Sequence, residues 1–448
     1  MNPEPEIVST DYFDTGACIQ VILTGQPRER MVIKSSTTTP YYKAWQKQDI
    51  IKEGRLLALT CHPNIVPLIK QVTEGSKSSL WMPHIPYSVG SLLWSELFTP
   101  HSRESVASGD TTVVTPREQE FIVITKSIMF QILCAVDYLH QTAGIAHRDI
   151  KPCNILMTAT GCVRLIDFGM SWKQDDDEHT TMGDVWLEKP HCMHNEVGTG
   201  SYCAPELLFQ PRSYDAFAID RWSLGATFAE FFTSLRLCNF EDDDTDFSDT
   251  DSDSELESDS ELESDSESES DADPEPFIVT KGVRLTDPDA SWVRNHLFNE
   301  EVLLRSILEI RGLPNDTNWP SYKQLPHADA LVFWEQFSAV DLAPLLPNLP
   351  SSLRSIQVDT KMHPPPAEKS PSPLDLIHRF LVYEPSLRLH AQEALRHPWF
   401  VAEPGLLLPQ DYVASTQLEQ LKGITLLANW ESMSLGEMIA EKLLGGAD

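Results

Sequence analysis

The spacing of apolar residues near the start of the chain changes from a strand pattern to a helix pattern. Residues 31–34 (MVIK) follow a β-rich stretch and predict a strand. Across residues 50–59 the apolar residues mark one side of a helix. This helix stops at residues 61–66 (CHPNIV), where a turn leads into another strand. The pattern therefore predicts a small β-rich unit that contains one helix.

Farther along, the pattern is mainly helical. A helix is predicted near Leu92 and a long helix from near Phe121, with a polar loop over residues 99–119 between them. The last segment has weak amphipathic character over residues 426–444. This character favours docking of a helix on the main body over a partner-binding role.

An acidic segment interrupts the helical region. The 448 residues carry a formal net charge of −33, and residues 241–275 hold 19 acidic residues and no lysine or arginine. With almost no apolar side chain this segment cannot bury enough surface to fold, so we predict a disordered insertion. The alternative is a phosphorylatable acidic tether for basic partners, since many of its serines have an acid three residues on. Either way, the charge disfavours binding to nucleic acid.

Cysteine usage and the start of the chain bear on location. The eight cysteines include no C-x-x-C, which indicates reduced thiols in the cytoplasm or nucleus. Residues 191–194 (HCMH) lack a second pair of ligands and fit an exposed loop better than a metal site. The acidic residues 1–6 argue against a secretory signal, and no run of eighteen apolar residues predicts a membrane span.

Two polar motifs carry the candidate chemistry. Residues 147–154 read HRDIKPCN, and residues 167–169 read DFG. Phosphoryl transfer needs a carboxylate that orients the attacking hydroxyl, together with an amide oxygen and a second carboxylate that hold magnesium against the phosphates. Asp149, Asn154 and Asp167 supply these groups. Unrelated loop residues would rarely combine the ordered motif with the correctly spaced triplet.

The two motifs resemble the catalytic loop and metal-binding triplet of eukaryotic protein kinases, and the resemblance covers about residues 10–240 and 276–400. It implies an α+β fold of two lobes, a small antiparallel β lobe with one regulatory helix and a larger, mainly helical lobe, with ATP between them. The implied segments are an N-terminal tail (1–9), the small lobe (10–85), the large lobe (86–240 and 276–400), the acidic insertion (241–275) and a C-terminal extension (401–448).

The resemblance also assigns roles to the motif residues. It makes Asp149, Lys151 and Asn154 catalytic, and Asn154 and Asp167 ligands of Mg²⁺. Lys151 is the serine/threonine-kinase signature and would contact the transferring phosphate. A protein substrate with a serine or threonine acceptor is therefore implied.

A nucleotide site is implied in the small lobe and the hinge. Lys34 would reach the phosphates of ATP when it pairs with Glu53, and the hinge is expected at residues 83–85, after Met82 as gatekeeper. The implied nucleotide-binding residues are Gly16, Val32, Lys34, Glu53, Pro83, Ile85 and Leu156.

Further matches have structural roles. Residues 198–206 resemble the end of an activation segment, and Asp220 resembles the residue that anchors the catalytic-loop backbone. Arg388 would pair with Glu206. Similarity to cyclin-dependent kinases and their relatives rests on residues 307–314, 319–320, 381–385 and 393–400.

The sequence departs from this pattern at the glycine-rich loop. Between Thr10 and Lys34 it has only Gly16 and Gly25, where G-x-G-x-x-G is expected. Val32 also replaces the usual alanine over the adenine. Both changes predict weaker binding of ATP.

Two regulatory features are missing as well. The cyclin-binding motif is absent from residues 47–52, and His194 stands where the activating threonine is expected. Arg148 would then lack its phosphate partner, and either Glu196 or the acids between residues 175 and 188 would replace it. These losses resemble the fungal monomeric cyclin-dependent-kinase-activating kinases. That resemblance implies a monomer that acts on other cyclin-dependent kinases without a cyclin.

Two function hypotheses follow. The first is an active serine/threonine kinase, and the second is a pseudokinase scaffold or weak nucleotide-binding module with little turnover. The missing glycines favour the second. The intact Lys34, Glu53, Asp149, Asn154 and Asp167 favour the first, because drift without catalysis would be free to remove any of them.

Overall fold

The computed structural model describes residues 6–12, 17–24, 29–37, 49–101, 115–174, 188–189, 191–233, 300–328, 336–410, 412 and 421–445. The predicted acidic insertion, Gly16 and the acids between residues 175 and 187 lie outside the described residues. Most of the polar loop over residues 99–119 lies outside them too.

The strands are β1 (Glu6–Tyr12), β2 (Ala17–Thr24), β3 (Glu29–Thr37), β4 (Lys70–Glu74), β5 (Lys77–Pro83), β6 (Tyr87–Ser88), β7 (Ile145–Ala146), β8 (Ile155–Met157), β9 (Val163–Leu165), β10 (Trp172–Lys173), β11 (Leu406–Leu407) and β12 (Leu426–Leu427). The helices are α1 (Ile50–Ala58), α2 (Val89–Leu93), α3 (Pro116–Asp137), α4 (Ala216–Glu230), α5 (Glu300–Arg311), α6 (Ser351–Arg354), α7 (Pro373–Phe380), α8 (Ala391–Ala394), α9 (Pro398–Val401) and α10 (Leu435–Leu444).

The small lobe is a five-stranded antiparallel sheet in the order β1-β2-β3-β5-β4. Strand β1 begins at Glu6, four residues before the predicted lobe boundary, and pairs with β2, so residues 6–9 of the predicted tail belong to the sheet. In β3, Val32 lies opposite Met82 of β5, and Lys34 lies opposite Leu80. This register places Val32 and Lys34, the predicted nucleotide-binding residues of β3, next to β5, the strand that leads into the predicted hinge.

Helix α1 is the single predicted helix of the small lobe. Asp49 caps it, because its carboxylate accepts from the backbone N–H groups of Ile51 (2.9 Å) and Lys52 (3.2 Å). Gly54 allows the helix to approach the sheet closely, since a Cβ there would lie 2.5 Å from Oε1 of Gln71. The predicted apolar side of the helix is correct for Ile50, Leu56 and Leu57, which are buried, and wrong for Leu59. Leu59 follows the last helical residue and is exposed.

Helix α3 forms the centre of the large lobe. Thr115 and Glu118 form a capping box at its start, and residues 121–137 are all buried. Within the described part of the chain, one helix, Pro116–Ala143, is long and apolar enough to cross a membrane by length and composition. Of the most apolar 18-residue stretch of this helix, 94% is buried inside the protein. We therefore assign it to the core of a folded domain.

The C-terminal extension packs on the large lobe. Lys126 of α3 donates to the carbonyl oxygens of Ala402 (2.6 Å) and Pro404 (2.8 Å). Helix α10 then lies against α2 and α3, and Lys442 forms an ion pair with Glu120 at 2.8 Å. The predicted docking of a C-terminal helix is thus observed, with the helix confined to residues 435–444.

Gly436 sets the distance between α10 and the β8–β9 turn. A Cβ at this position would lie 2.1 Å from the carbonyl oxygen of Ala159 and 2.7 Å from the carbonyl carbon of Thr160. We predict that Gly436→Ala destabilises the protein by about 1–3 kcal/mol, the usual cost of overpacking. A thermal melt measures the effect. Leu444→Ala on the exposed side of α10 is the matched control, and equal melting temperatures for both variants would contradict the prediction.

Candidate active site

The catalytic loop is held by the carboxylate of Asp220, which lies in the fully buried part of α4. Its Oδ2 accepts from the backbone N–H of His147 (2.7 Å), and its Oδ1 accepts from that of Arg148 (2.6 Å). Arg148 has a φ of 64°, in the left-handed region that costs a non-glycine residue free energy. The two charge-assisted hydrogen bonds offset that cost and fix the backbone next to Asp149. The anchoring role predicted for Asp220 matches this geometry.

Asp149, Lys151 and Asn154 converge on one point, as the sequence motif predicts. Nδ2 of Asn154 donates to both Oδ2 and the carbonyl oxygen of Asp149, each at 2.9 Å. Nζ of Lys151 lies 3.0 Å from Oδ2 of Asp149. The carboxylate of Asp149 is therefore oriented from two sides, and its role toward a substrate hydroxyl stays a prediction.

Thr199 completes this cluster, and sequence reasoning gave it no role. Its hydroxyl donates to Oδ1 of Asp149 at 2.7 Å and accepts from Nζ of Lys151 at 2.7 Å. The only sequence signal was its place between two glycines, residues 198 and 200, near the end of the activation segment. This contact ties the activation segment to the catalytic carboxylate.

Lys34 joins the small lobe to the metal-binding triplet. Its ammonium nitrogen lies 2.9 Å from Oε2 of Glu53 on α1 and 2.7 Å from Oδ1 of Asp167. The predicted Lys34–Glu53 ion pair is thus present. Asp167 also has a positive φ, 65°, so a strained backbone presents its side chain to the cleft.

The charges of this trio are shifted by burial and by one another. Burial alone would lower the pKa of Lys34, but Asp167 and Glu53 raise it above its ordinary value. Burial would raise the pKa of Asp167, whereas the Lys34 ammonium lowers it to about 2. Burial dominates at Glu53 and raises its pKa to about 6, against the opposing attraction of Lys34. At neutral pH all three groups are therefore charged.

Phe168 connects the triplet to the catalytic loop. The ring is fully buried and meets His147 edge to face at a centroid distance of 4.9 Å. Nε2 of His147 forms a hydrogen bond of 2.9 Å with the carbonyl oxygen of Ile166. These contacts hold Asp167 and Asp149 in a fixed relation.

The side chains fit a magnesium ion that is completed by phosphate. Mg²⁺ prefers hard oxygen ligands and is usually held by one or two protein groups plus substrate phosphates and water. The amide of Asn154 and the carboxylate of Asp167 form such a set. Among the described residues no group of three or more His, Cys, Asp or Glu side chains could hold a metal on its own.

The predicted adenine contacts lie around the hinge. Val32 of β3 and Leu156 of β8 are both partly buried and pack against the core. Pro83 is the last residue of β5, and residues 84–86 connect β5 to β6. Ile85 is buried, and the N–H of His84 donates to the carbonyl oxygen of Arg30 at 3.2 Å. The roles of these residues and of Pro83 in binding a nucleotide stay predictions.

The guanidinium of Arg148 forms an ion pair with a carboxylate of the same chain. It makes two hydrogen bonds to the carboxylate of Glu188, at 2.5 and 2.7 Å. Of the two alternatives, Glu196 or the acids between residues 175 and 188, the structure therefore selects Glu188.

A second predicted ion pair joins Arg388 to Glu206. The guanidinium of Arg388 donates to both carboxylate oxygens of Glu206, at 2.6 and 2.7 Å, as its motif predicts.

The protein kinase domain family model matches residues 15–400 of the chain. The chain belongs to the protein kinase family. The solved yeast RNA Pol II CTD kinase CTDK-1 complex contains a chain that superimposes with a TM-score of 0.52, covering 88% of this chain and 92% of that one. At 18% identity this likeness shows the fold alone, and it confirms the predicted two-lobed α+β architecture.

Several curated kinases are similar in sequence. Cyclin-dependent kinase 20 of Danio rerio is 26% identical over 279 residues, 62% of this chain and 55% of that protein. Serine/threonine-protein kinase SSN3 of Coccidioides immitis (strain RS) is 26% identical over 363 residues, 79% of this chain and 60% of that protein. The ssn3 kinase of Aspergillus clavatus is 30% identical over 281 residues, 61% and 51% of the two chains. This kinase chain thus spans between 51% and 60% of the length of these relatives.

The family match confirms the predicted enzyme class, a protein kinase, and the relatives above are named as cyclin-dependent or serine/threonine-protein kinases. None of the relatives above bears the name of a monomeric cyclin-dependent-kinase-activating kinase. That finer resemblance therefore stays a prediction.

The position of Thr199 generates a test of the site. Thr199→Val removes the hydroxyl that links Asp149 to Lys151 while keeping the shape of the side chain. Loss of about one hydrogen bond to charged groups, about 1.5–3 kcal/mol, should lower kcat about 10- to 100-fold. Thr199→Ser retains the hydroxyl and should stay within about threefold of the unmodified kinase. Steady-state peptide phosphorylation measures both, and equal losses in the two variants would contradict the role.

Proposed function

We propose that this kinase transfers the γ-phosphoryl group of ATP to serine or threonine in proteins, and that it does so as a single chain without a cyclin. The observation that carries the proposal is the trio of Lys34, Glu53 and Asp167. In this family the lysine–glutamate pair and the metal-binding aspartate must both be in place for phosphoryl transfer. Here, within one chain, Nζ of Lys34 lies 2.9 Å from Oε2 of Glu53 and 2.7 Å from Oδ1 of Asp167.

The residues divide the chemistry between them. Asp149 orients the substrate hydroxyl and accepts its proton as the new oxygen–phosphorus bond forms and the bond between the γ-phosphorus and ADP breaks, with ADP as the leaving group. Lys151 supplies positive charge beside the same carboxylate. Asn154 and Asp167 would hold Mg²⁺, which would neutralise developing charge on the phosphate oxygens. Lys34 positions the phosphates. Preorganised charge of this kind is the main source of stabilisation for such a transition state.

Independence from a cyclin is supported by how α1 is held. The backbone N–H of Asp49, at the start of α1, donates to the carbonyl oxygen of Gly169 at an N–O distance of 3.4 Å. Gly169 is the last residue of the metal-binding triplet. On the same helix, Lys52 contacts Glu188 at 3.3 Å and Glu53 contacts Lys34. The chain therefore contains its own contacts for the position of α1, the element that carries Glu53. The protein would act as a monomer.

For the substrates, we retain the sequence-based proposal that they include other cyclin-dependent kinases. Its support is the absence of both the cyclin motif and the activating threonine, which sets the chain apart within its group. A catalytically inactive cyclin-dependent kinase offered as substrate tests it directly. Phosphorylation of its activation-segment threonine would support the proposal, and labelling no faster than that of a generic basic protein would contradict it. A location in the cytoplasm or nucleus stays a prediction.

The rival function is a pseudokinase scaffold. Its support is the near absence of glycine between Thr10 and Lys34. Against it stands the convergence of the catalytic side chains at hydrogen-bond distances, since a scaffold has no need to keep Asp149 oriented by Asn154 and Thr199.

The decisive test compares the phosphatase-treated, cyclin-free kinase with its Asp149→Asn variant. The variant keeps the size of the side chain and loses the acceptor charge, so turnover should fall by about 10²–10⁴. Incorporation of labelled phosphate into serine and threonine of a protein substrate is the measurement. Equal residual labelling by both proteins favours the scaffold. Activity that appears only after a cyclin is added contradicts the single-chain proposal.

Weak binding of ATP is a separate expectation. Val32 is partly buried opposite Met82 of β5, and it carries two methyl groups more than the alanine usual at this position. We predict that Val32→Ala tightens binding of ATP and of ADP, because it relieves crowding over the adenine. Titration calorimetry measures the change, with Val72→Ala on the edge strand β4 as the control. An unchanged or weaker affinity in Val32→Ala would rule out crowding as the cause.

A further inference from the structure

A small sheet in the large lobe carries several of the predicted ligands of the nucleotide and the metal. Its strands lie in the order β6-β8-β9. Asn154 immediately precedes β8, Leu156 lies within β8, and Asp167 comes two residues after β9. The backbone N–H of Ile166 donates to the carbonyl oxygen of Asn154 at 2.9 Å, so the two predicted magnesium ligands are tied to each other through this sheet. The position of the sheet therefore decides where these groups lie.

Helix α2 joins the same sheet to the catalytic loop. It follows β6, the strand after the predicted hinge, and contacts β6, β8 and the turn of residues 152–154. A Cβ on Gly90 of this helix would lie 3.3 Å from Sγ of Cys153, so the helix and the catalytic loop are in close contact. The sheet and the helix thus form one unit beside the nucleotide site. We call β6, β8, β9 and α2 the rear support.

Helix α10 of the C-terminal extension contacts the rear support at two places. At the β8–β9 turn, a Cβ on Gly161 would lie 2.8 Å from Cγ of Leu435. Two residues after the end of α2, the hydroxyl of Ser95 donates to the carbonyl oxygen of Lys442. The buried apolar side chains of α10 are Leu435, Met438 and Ile439. A segment that follows the family's core domain therefore lies against the elements that carry the predicted ligands.

An ion pair holds the end of α10 against α3, the central helix of the large lobe. Nζ of Lys442 lies 2.8 Å from Oε1 of Glu120, and the two side chains are only 13% and 15% exposed. Water screens a pair at this depth less than a pair on the surface, so the attraction between the charges is stronger. Lys442 also lies 3.3 Å from Glu441 of its own helix, but that side chain is exposed. The pair between the helices is therefore the one that fixes α10.

We propose that Lys442 is a positioning residue for the nucleotide. Through its pair with Glu120 it holds α10 against the rear support, and the rear support holds Asn154, Leu156 and Asp167 in place for ATP and Mg²⁺. This inference rests on the proposed function, because it concerns how the same site keeps its nucleotide-binding arrangement. The effect of Lys442 passes through α10 and the rear support, so the C-terminal extension becomes part of the nucleotide site without reaching into the cleft.

Reversal of the charge at Lys442 tests this role. In Lys442→Glu two carboxylates face each other, and their repulsion should loosen α10. We expect KM for ATP to rise at least about threefold and kcat to change less than about twofold, because saturating ATP and Mg²⁺ draw the rear support back into place. Lys422→Glu makes the same charge change at an exposed position of the extension, and it should leave KM for ATP unchanged.

A charge swap separates positioning from general support of the fold. Glu120→Lys alone should also raise KM for ATP, whereas the double variant, Lys442→Glu with Glu120→Lys, restores opposite charges and should return KM to within about twofold of wild type. A general loss of stability would instead lower kcat by reducing the folded fraction, at unchanged KM. If Lys442→Glu does not fold, Lys442→Met removes the charge without repulsion and takes its place. A wild-type KM in the folded single variant, or no recovery in the double variant, would overturn the proposal.

Two readouts do not depend on turnover. Titration calorimetry with ADP and Mg²⁺ should show weaker binding to Lys442→Glu and recovery in the double variant. The amides of residues 155–157 and 163–165 should exchange hydrogen faster in Lys442→Glu than in wild type, while α4 keeps its protection. An inactive wild-type chain would contradict the proposed function and leave both measurements valid. Unchanged affinity and unchanged exchange in Lys442→Glu would contradict the positioning role even if the kinase is active.

Discussion

A single ammonium group, that of Lys34, is shared by two carboxylates from distant parts of the chain, and the arrangement of the site depends on it. Glu53 comes from a helix of the small lobe, and Asp167 comes from the triplet that follows β9. In a buried setting each charge needs the others, because an unpaired one would cost several kcal/mol. The trio therefore favours one position of α1, the position in which Glu53 holds Lys34 beside Asp167.

The parts of the fold that could be predicted from sequence are those in which residue type, order and spacing all serve one reaction. Asp149, Asn154 and Asp167 meet this condition, and the structure brings them together around one cleft. The same holds for Asp220 and Arg388, whose partners are fixed by backbone geometry and a bidentate carboxylate. Their motifs carry information because a buried charge in the wrong register would have no partner.

Other features depend on tertiary contacts that no local pattern encodes. Thr199 contacts Asp149 and Lys151 because the activation segment packs against the catalytic loop. A threonine between two glycines does not predict this packing from the sequence alone. The end of α1 was missed for a similar reason. Leu59 has the right spacing for the apolar side but comes after the helix has stopped, so it faces solvent. Periodicity locates a face, whereas caps and packing decide where the helix ends.

The pair of Arg148 and Glu188 shows how a missing modification can be replaced at a different place in the sequence. A phosphate on threonine carries about two negative charges at neutral pH and can be added or removed, whereas a carboxylate carries one and is permanent. Because the side chains of Arg148 and Lys52 are both buried, each contact with the single charge of Glu188 is worth more than it would be in water. A bidentate arginine–carboxylate geometry also recovers the direction that a phosphate would impose. Constant charge at this point implies constant geometry, so regulation of this kinase would have to act elsewhere, on access to the cleft or on supply of its substrate.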